Sequence, residues 1–284
     1  MKQSDCAKVH ILAAEIGSHL RKSSYSAMFD AAAAALGMSR HFQAITVPEN
    51  CEAHLCMVLD GIRHLGFAGL HVAGPFKQAV VEFIDEHEGN DVQPDGVDTI
   101  VVKNGCLVGH NTDFTSLICT LTQLIESAPG PVALIGGTGR SKSIISAVLQ
   151  AGAKEVRVVS PDNFLTTICA DILASTTNLN IVTNYETGLS GAVGIYCLSG
   201  WRTCGASAAL QHVEFNSGMW FIDEDTDQMA SSPILKRARL AGARVLSRRE
   251  LAVYSAAASF QLLTKIQPPL QAMALAFDAS MNAV

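Results

Sequence analysis

The stretch Pro131–Val159, PVALIGGTGRSKSIISAVLQAGAKEVRVV, decides how the chain is read. Val132–Ile135 is a short apolar run, the pattern of a strand buried on both faces. Gly136, Gly137 and Gly139 follow, where a backbone must turn sharply or approach a ligand closely. Ser143–Ala151 puts Ile144, Ile145, Val148 and Leu149 on one helical face, Gly152 is the expected C-cap, and Glu155–Val159 restarts a strand. Strand, glycine turn, helix and strand make a βαβ unit whose helix start offers N–H groups to a pyrophosphate. The match to G-x-G-x-x-G is partial. Gly136 is kept, whereas Thr138 and Ser141 replace the second and third glycines. A tight structural turn needs glycine too, so the turn by itself leaves both readings open.

The chain has 284 residues, enough for one large domain or two of ordinary size. Apolar residues make up 49% and charged ones 16%, which supplies a core and argues against disorder. The net charge is −6 and no basic block occurs, so no nucleic-acid surface is expected. No uninterrupted apolar run is long enough to span a membrane, and no signal peptide is evident. The eight cysteines show neither a C-x-x-C pair nor a zinc spacing. Buried free thiols in a reducing cytosol are the expectation, hence a cytoplasmic protein without a metal site.

Upstream of the turn, strands are expected at Val9–Ile16, Phe42–Val47 and Gly69–Val72. Ser18–Ser26 reads as a polar loop, and helices are expected over Ala27–Leu36, Cys51–Leu65 and Lys77–His87. Thr99–Val102 and Cys106–Val108 flank Asn104-Gly105, a strong hairpin signal. A helix follows from about Phe114 to Glu126, broken by Ser127–Pro131. Downstream, strands at Ala192–Leu198, Met219–Asp223 and Arg244–Leu246 alternate with helices, ending in Leu251–Ile266 and Leu270–Phe277. Alternation throughout means parallel α/β architecture. The expected division is a first domain over 1–114, a dinucleotide domain over 115–249, and helices 250–284 returning to the first.

Three further stretches carry a resemblance. They are GSHLRKSSYSAMFDAAAAALGM (17–38), GFAGLHVAGPFKQAVVEFIDE (66–86) and DGVDTIVVKNGCLVGHNTD (95–113). With the glycine turn, their order and spacing resemble the shikimate dehydrogenase family, including its quinate-using members. The resemblance covers nearly the whole chain. Pro75-x-Lys77 and His110-Asn111-Thr112-Asp113 are its most specific parts. It implies an α/β substrate-binding domain, a Rossmann domain and a cleft between them. The implied reaction is reversible NAD(P)-dependent oxidation of a ring hydroxyl to a ketone, with Lys77 and Asp113 as the catalytic pair. The chemistry suits these residues. Alcohol oxidation needs a hydride acceptor and a base, and a partly desolvated lysine beside an orienting carboxylate can provide the base. Without the resemblance, Lys77 reads as a solvated helix-start lysine and Asp113 as an N-cap.

The departures are as informative. Ser23 matches the first of two serines that grip the substrate carboxylate in the family, but Tyr25 stands at the second. His71 and Asp98 replace asparagines, and Ser255 replaces a late glutamine that reaches a substrate hydroxyl. Ser23, Tyr25, His71, Asp98 and Ser255 are therefore the candidate substrate contacts, with His71 a cation or a second acid–base group. This points to a divergent member acting on a related polyol or hydroxy acid. For the cofactor, Gly136, Gly137, Thr138, Gly139 and Arg140 line the turn, Ser160 and Asp162 the ribose end, and Cys197 and Gly200 a later strand end. The family's NADP-binding arginine is absent and Asp162 arrives in its place, so NAD is expected rather than NADP. Arg140 and Lys142 remain as cations able to attract a phosphate. The expected partner is a small hydroxy-acid substrate, and the expected assembly, if any, a homodimer. A regulatory ligand-binding protein on the same fold is the alternative function.

Overall fold

A computed structural model describes residues 10–20, 23–49, 51–88, 96–137, 140–160, 169–203, 205–225 and 232–282. The chain forms two units, Met1–Asp113 with Ala252–Val284, and Phe114–Leu251.

The first unit is built on β1 (His10–Gly17), β2 (Ser39–Thr46), β3 (Gly69–Val72), β4 (Glu86–His87), β5 (Thr99–Lys103) and β6 (Cys106–His110). They lie in the order β2-β1-β3-β5-β6-β4. β1, β2 and β3 are parallel, while β5 runs against both β3 and β6, so the sheet is mixed rather than purely parallel. The hairpin forms because Asn104 and Gly105 both take positive φ (53° and 81°), the backbone a two-residue turn requires.

Both faces of this sheet are covered. Ile11 and Ala13 of β1 pack with α1 (Ser24–Ala35), the helix Arg248–Thr264 and the last helix, Leu270–Asn282. Ala14 and Ile16 point the other way, onto α2 (Glu52–His64) and Val80. That alternation along β1 is the period of a strand.

In the second unit β7 (Val132–Ile135), β8 (Val156–Val159), β9 (Leu179–Val182), β10 (Gly194–Cys197), β11 (Trp220–Asp223) and β12 (Arg244–Ser247) are all parallel. Their order, β12-β11-β10-β7-β8-β9, is that of a dinucleotide-binding Rossmann sheet. The strands β7, β10 and β11 are buried along their whole length, which explains their unbroken apolar runs.

Several sequence expectations need correction. Lys77–His87 is not a helix: the chain turns over Gly74–Gln78, makes a 3-10 turn at Ala79–Phe83, and reaches β4. Val80 is the buried residue of that turn, and only Glu86–His87 forms a strand, pairing with β6. The polar loop ends early, because Ser23 caps a helix that begins at Ser24. Short helices at Tyr185–Leu189 and Ala206–Gln211 were too brief to leave a periodic signal. Among the described cysteines only Cys169 and Cys197 are buried, whereas Cys56 and Cys119 are exposed on helix surfaces. Among the described residues, no helix is long and apolar enough to cross a membrane.

Candidate functional site

In the first unit, four neighbouring strands contribute a polar row across one face of the sheet. Glu15 of β1 pairs with His71 of β3, His71 with Thr99 of β5, and Thr99 with His110 of β6. Paired residues on adjacent strands point to the same face, here the one covered by α1 and Arg248–Thr264. Polar side chains so placed are expensive unless something engages them.

Next to this row lies the Lys77–Asp113 pair, with Lys77 Nζ 2.7 Å from Asp113 Oδ2 and each side chain about a third exposed. The turn carrying Lys77 is pinned from below, since its carbonyl accepts from Val97 N at 2.8 Å. Gly96 makes that approach possible. It has φ +80°, and a Cβ there would sit 2.2 Å from the Lys77 carbonyl oxygen. Asp113 opens the helix Thr112–Ser127 (α3), yet it is not the N-cap. Its carboxylate faces Lys77 on one oxygen and accepts from Ser255 Oγ on the other at 2.5 Å. Ser255 therefore reaches the pair rather than standing apart from it.

Capping falls to Asp98. Its Oδ1 accepts from Thr112 N (2.8 Å) and Thr112 Oγ1 (2.7 Å), and its Oδ2 from Asp113 N (2.7 Å). Asp98 is 1% exposed, so these donors at a helix start are what hold it in place. Burial and the Asp113 charge raise its carboxyl above the ordinary range, against the pull of Lys77 and the helix-start donors. Asp98 is expected to touch substrate; in the structure its oxygens accept from the start of α3 and so fix where Asp113 begins.

Tyr25 is likewise held by its neighbours. It is buried, its hydroxyl hydrogen-bonds Ser259 Oγ at 2.7 Å, and burial drives the phenol far above its usual value. Its ring stacks on His71 with centroids 3.6 Å apart and planes 8° from parallel. His71 is held neutral: burial, then the Lys77 charge, push it down to about 3. It is no cation at neutral pH. Ser23 Oγ donates to Glu15 Oε1 at 2.7 Å and receives the Ser26 N–H as the α1 cap. Glu15, 2% exposed, was not singled out from the sequence. Burial pushes its carboxyl up to about 7, partly countered by the Ser23 bond. The signal available was a lone carboxylate inside the apolar strand HILAAEIG, a position where charge is rare.

In the second unit the glycine turn follows β7 at the point where the strand order reverses, between β7 and β10. Open sheets of this order bind dinucleotides there. Gly136 has φ +88°, and a Cβ on it would lie 2.9 Å from Trp201 Cα. Trp201 is fully buried beneath the turn, its Nε1 donating to Asp223 Oδ1 at 2.9 Å. Arg202 donates to the other Asp223 oxygen and lies over the Trp201 ring. Gly137 is half-buried, and the helix Ser141–Gln150 starts with no side-chain cap from its N-cap Arg140. A turn and helix start of this form suit a pyrophosphate. Ser160 and Cys197 are buried at the ends of β8 and β10. Gly200 N donates to the Asp225 carboxylate at 3.0 Å. Sequence reading missed Glu224, which accepts from Tyr196 Oη at 2.7 Å and Ser199 N at 3.3 Å. Burial raises its carboxyl, while the Arg140 charge lowers it. Thr138, Gly139 and Asp162 lie outside the described residues.

The family described as "Shikimate dehydrogenase substrate binding domain" matches residues 16–100. A shikimate dehydrogenase (NADP(+)) of Bacillus cytotoxicus is 27% identical over 248 residues, covering 84% of this chain and 87% of that protein. A quinate/shikimate dehydrogenase (NAD(+)) of Corynebacterium efficiens is 25% identical, covering 94% and 97%. Among solved structures, quinate dehydrogenase from Corynebacterium glutamicum in complex with NAD superposes with a TM-score of 0.75 at 24% identity, covering 95% of this chain and 99% of that one.

Proposed function

The chain belongs to the shikimate dehydrogenase family, and we propose that it is an NAD(P)-dependent oxidoreductase interconverting a ring hydroxyl and a ketone on shikimate, quinate or a related hydroxy acid. The observation that carries this is the Lys77–Asp113 contact, braced by Ser255 on the far carboxylate oxygen.

The bound dinucleotide supplies the hydride acceptor in oxidation and the hydride donor in reduction. Lys77 Nζ, as the neutral amine, takes the hydroxyl proton in oxidation, and as the ammonium facing Asp113 it gives that proton back in reduction. Asp113 orients Nζ, and Asp98 fixes Asp113 by accepting its backbone N–H. Acid–base help from a positioned side chain is worth roughly 10²–10⁴ in rate. Gly136, Gly137 and the helix start after Arg140 are the proposed pyrophosphate contacts, with Ser160, Cys197 and Gly200 lining the same sheet edge.

NAD is the proposed cofactor. By the resemblance, Asp162 in Ser160-Pro161-Asp162 stands in sequence where NADP-using members carry the arginine for a 2′-phosphate. The turn's own cations are also offset: Lys142 is ion-paired with Asp171, and Arg140 shares its surroundings with Glu224. The test is cofactor reduction followed with shikimate and with quinate, using NAD and NADP separately. Faster turnover with NAD supports the reading. Tighter NADP binding overturns the cofactor choice, and no turnover of shikimate, quinate, other cyclic hydroxy acids or uncharged cyclic polyols with either cofactor overturns the reaction.

A further inference from the structure

Given the proposed reaction, which places substrate in the first unit, we infer that Glu15 and His71 form a subsite for uncharged hydroxyl groups, a vicinal diol above all, and that Glu15 turns away a ligand carboxylate.

The two residues are register partners on β1 and β3, so their side chains share a face. Glu15 is 2% exposed and His71 9%. Among the described residues, Glu15 Oε2 and His71 Nδ1 make no hydrogen bond, although both atoms are buried. Buried polar atoms are nearly always partnered, so two orphans side by side mark a place for a ligand. The stacked Tyr25 ring closes one side of His71. His71 also feels the charges of both Lys77 and Asp113, which puts this subsite beside the proposed catalytic pair.

The donor inventory fixes the ligand class. Ser23, at the position where the resemblance puts a carboxylate-gripping serine, gives its one hydroxyl proton to Glu15 Oε1. Tyr25 Oη is occupied with Ser259. The groups that remain are a carboxylate oxygen, which only accepts while ionised, and a neutral imidazole nitrogen. A ligand carboxylate brings no donor and sets a second negative charge beside Glu15 in a poorly solvated place. A hydroxyl donates to Glu15 Oε2 and takes either role at His71 Nδ1. Hydroxyls on neighbouring carbons serve both atoms together. Repulsion of the wrong ligand, rather than attraction of the right one, then sets specificity.

The test, run at about pH 8.5 so that Glu15, pushed up to about 7, is ionised, is a calorimetric titration of the NAD-loaded wild-type protein with shikimate and with its uncharged methyl ester, repeated on Glu15→Gln. The ester is expected to bind more tightly by on the order of tenfold. Glu15→Gln is expected to close that gap by raising shikimate affinity. The wild-type comparison needs no variant, so it stands even where Glu15→Gln fails to fold. Shikimate binding as tightly as the ester, or no binding of the ester and of an uncharged cyclitol such as myo-inositol, overturns the inference. Failure of the reaction itself reads differently: the ester still binds preferentially, but neither cofactor is reduced.

Discussion

The candidate cofactor edge of Phe114–Leu251 and the candidate substrate face of the other unit are made from different parts of the chain. At the cofactor edge the work is done by backbone. Gly136 turns with positive φ over Trp201, a helix start follows, and Gly200 N rests on Asp225. On the substrate face it is done by side chains in a network running from Ser255 through Asp113 to Lys77, with Asp98 beneath. A backbone site tolerates a change of side chain wherever φ and space allow it. A side-chain network does not, because each lost partner leaves another buried group unsatisfied.

The largest stability effect is therefore expected on the substrate face. Asp98→Ala strips the acceptors from Thr112 N and Asp113 N and should cost about 3 kcal/mol or more in urea unfolding. A cost below about 1 kcal/mol would break the contrast, since it would mean that water replaces Asp98 at the helix start.

A somewhat smaller effect sets Glu15 against His71. The Glu15 carboxyl, pushed up to about 7, binds its proton more tightly folded than unfolded. Its contribution is complete below its ordinary value of 4.5 and is lost as pH rises through about 7. His71, pushed down to about 3, has the opposite sign: stability is gained as pH rises from about 3 toward its ordinary 6.5. In wild type the two slopes oppose each other where these windows overlap. Glu15→Gln removes one of them, so the variant should gain about 3 kcal/mol relative to wild type between about pH 4.5 and about pH 8. An unchanged difference across that range would show that folding does not raise the Glu15 carboxyl above its ordinary value.

Gly136→Ala should do less to the fold, about 1–2 kcal/mol, because one strained φ and one contact with Trp201 are involved. Its sharper signature is weakened NAD binding with shikimate binding unchanged. Equal loss of both would end the separation of roles between the two faces.

What could be read from the chain follows the same division. β7, the glycine turn and the parallel order of the second sheet were legible, because buried strands and positive-φ glycines leave composition signals. The hairpin at Asn104-Gly105 was legible for the same reason. Lys77 and Asp113 could be named as a pair only through the family resemblance, and their contact could not be derived from the sequence. Glu15, Ser259 and Glu224 were not named as site residues: Glu15 and Ser259 are single polar side chains in apolar segments and Glu224 is one acid of the run Asp223–Asp225, and only the fold gives them neighbours. Asp98 and Tyr25 were seen but given substrate contacts. Local sequence cannot reveal that one reaches a helix start fourteen residues away and the other a serine on the Arg248–Thr264 helix. The Lys77–His87 stretch misled because a run of apolar residues with a helix-like pattern also serves a packed 3-10 turn, here through the buried Val80.

The central claim is that proton transfer belongs to Lys77 while dinucleotide binding belongs to the other unit. Its most direct test is to measure kcat and the NAD dissociation constant on the same Lys77→Ala preparation. A fall in kcat of about 10² or more with NAD affinity unchanged is the predicted result. Retention of wild-type kcat, with NAD affinity unchanged, would contradict it.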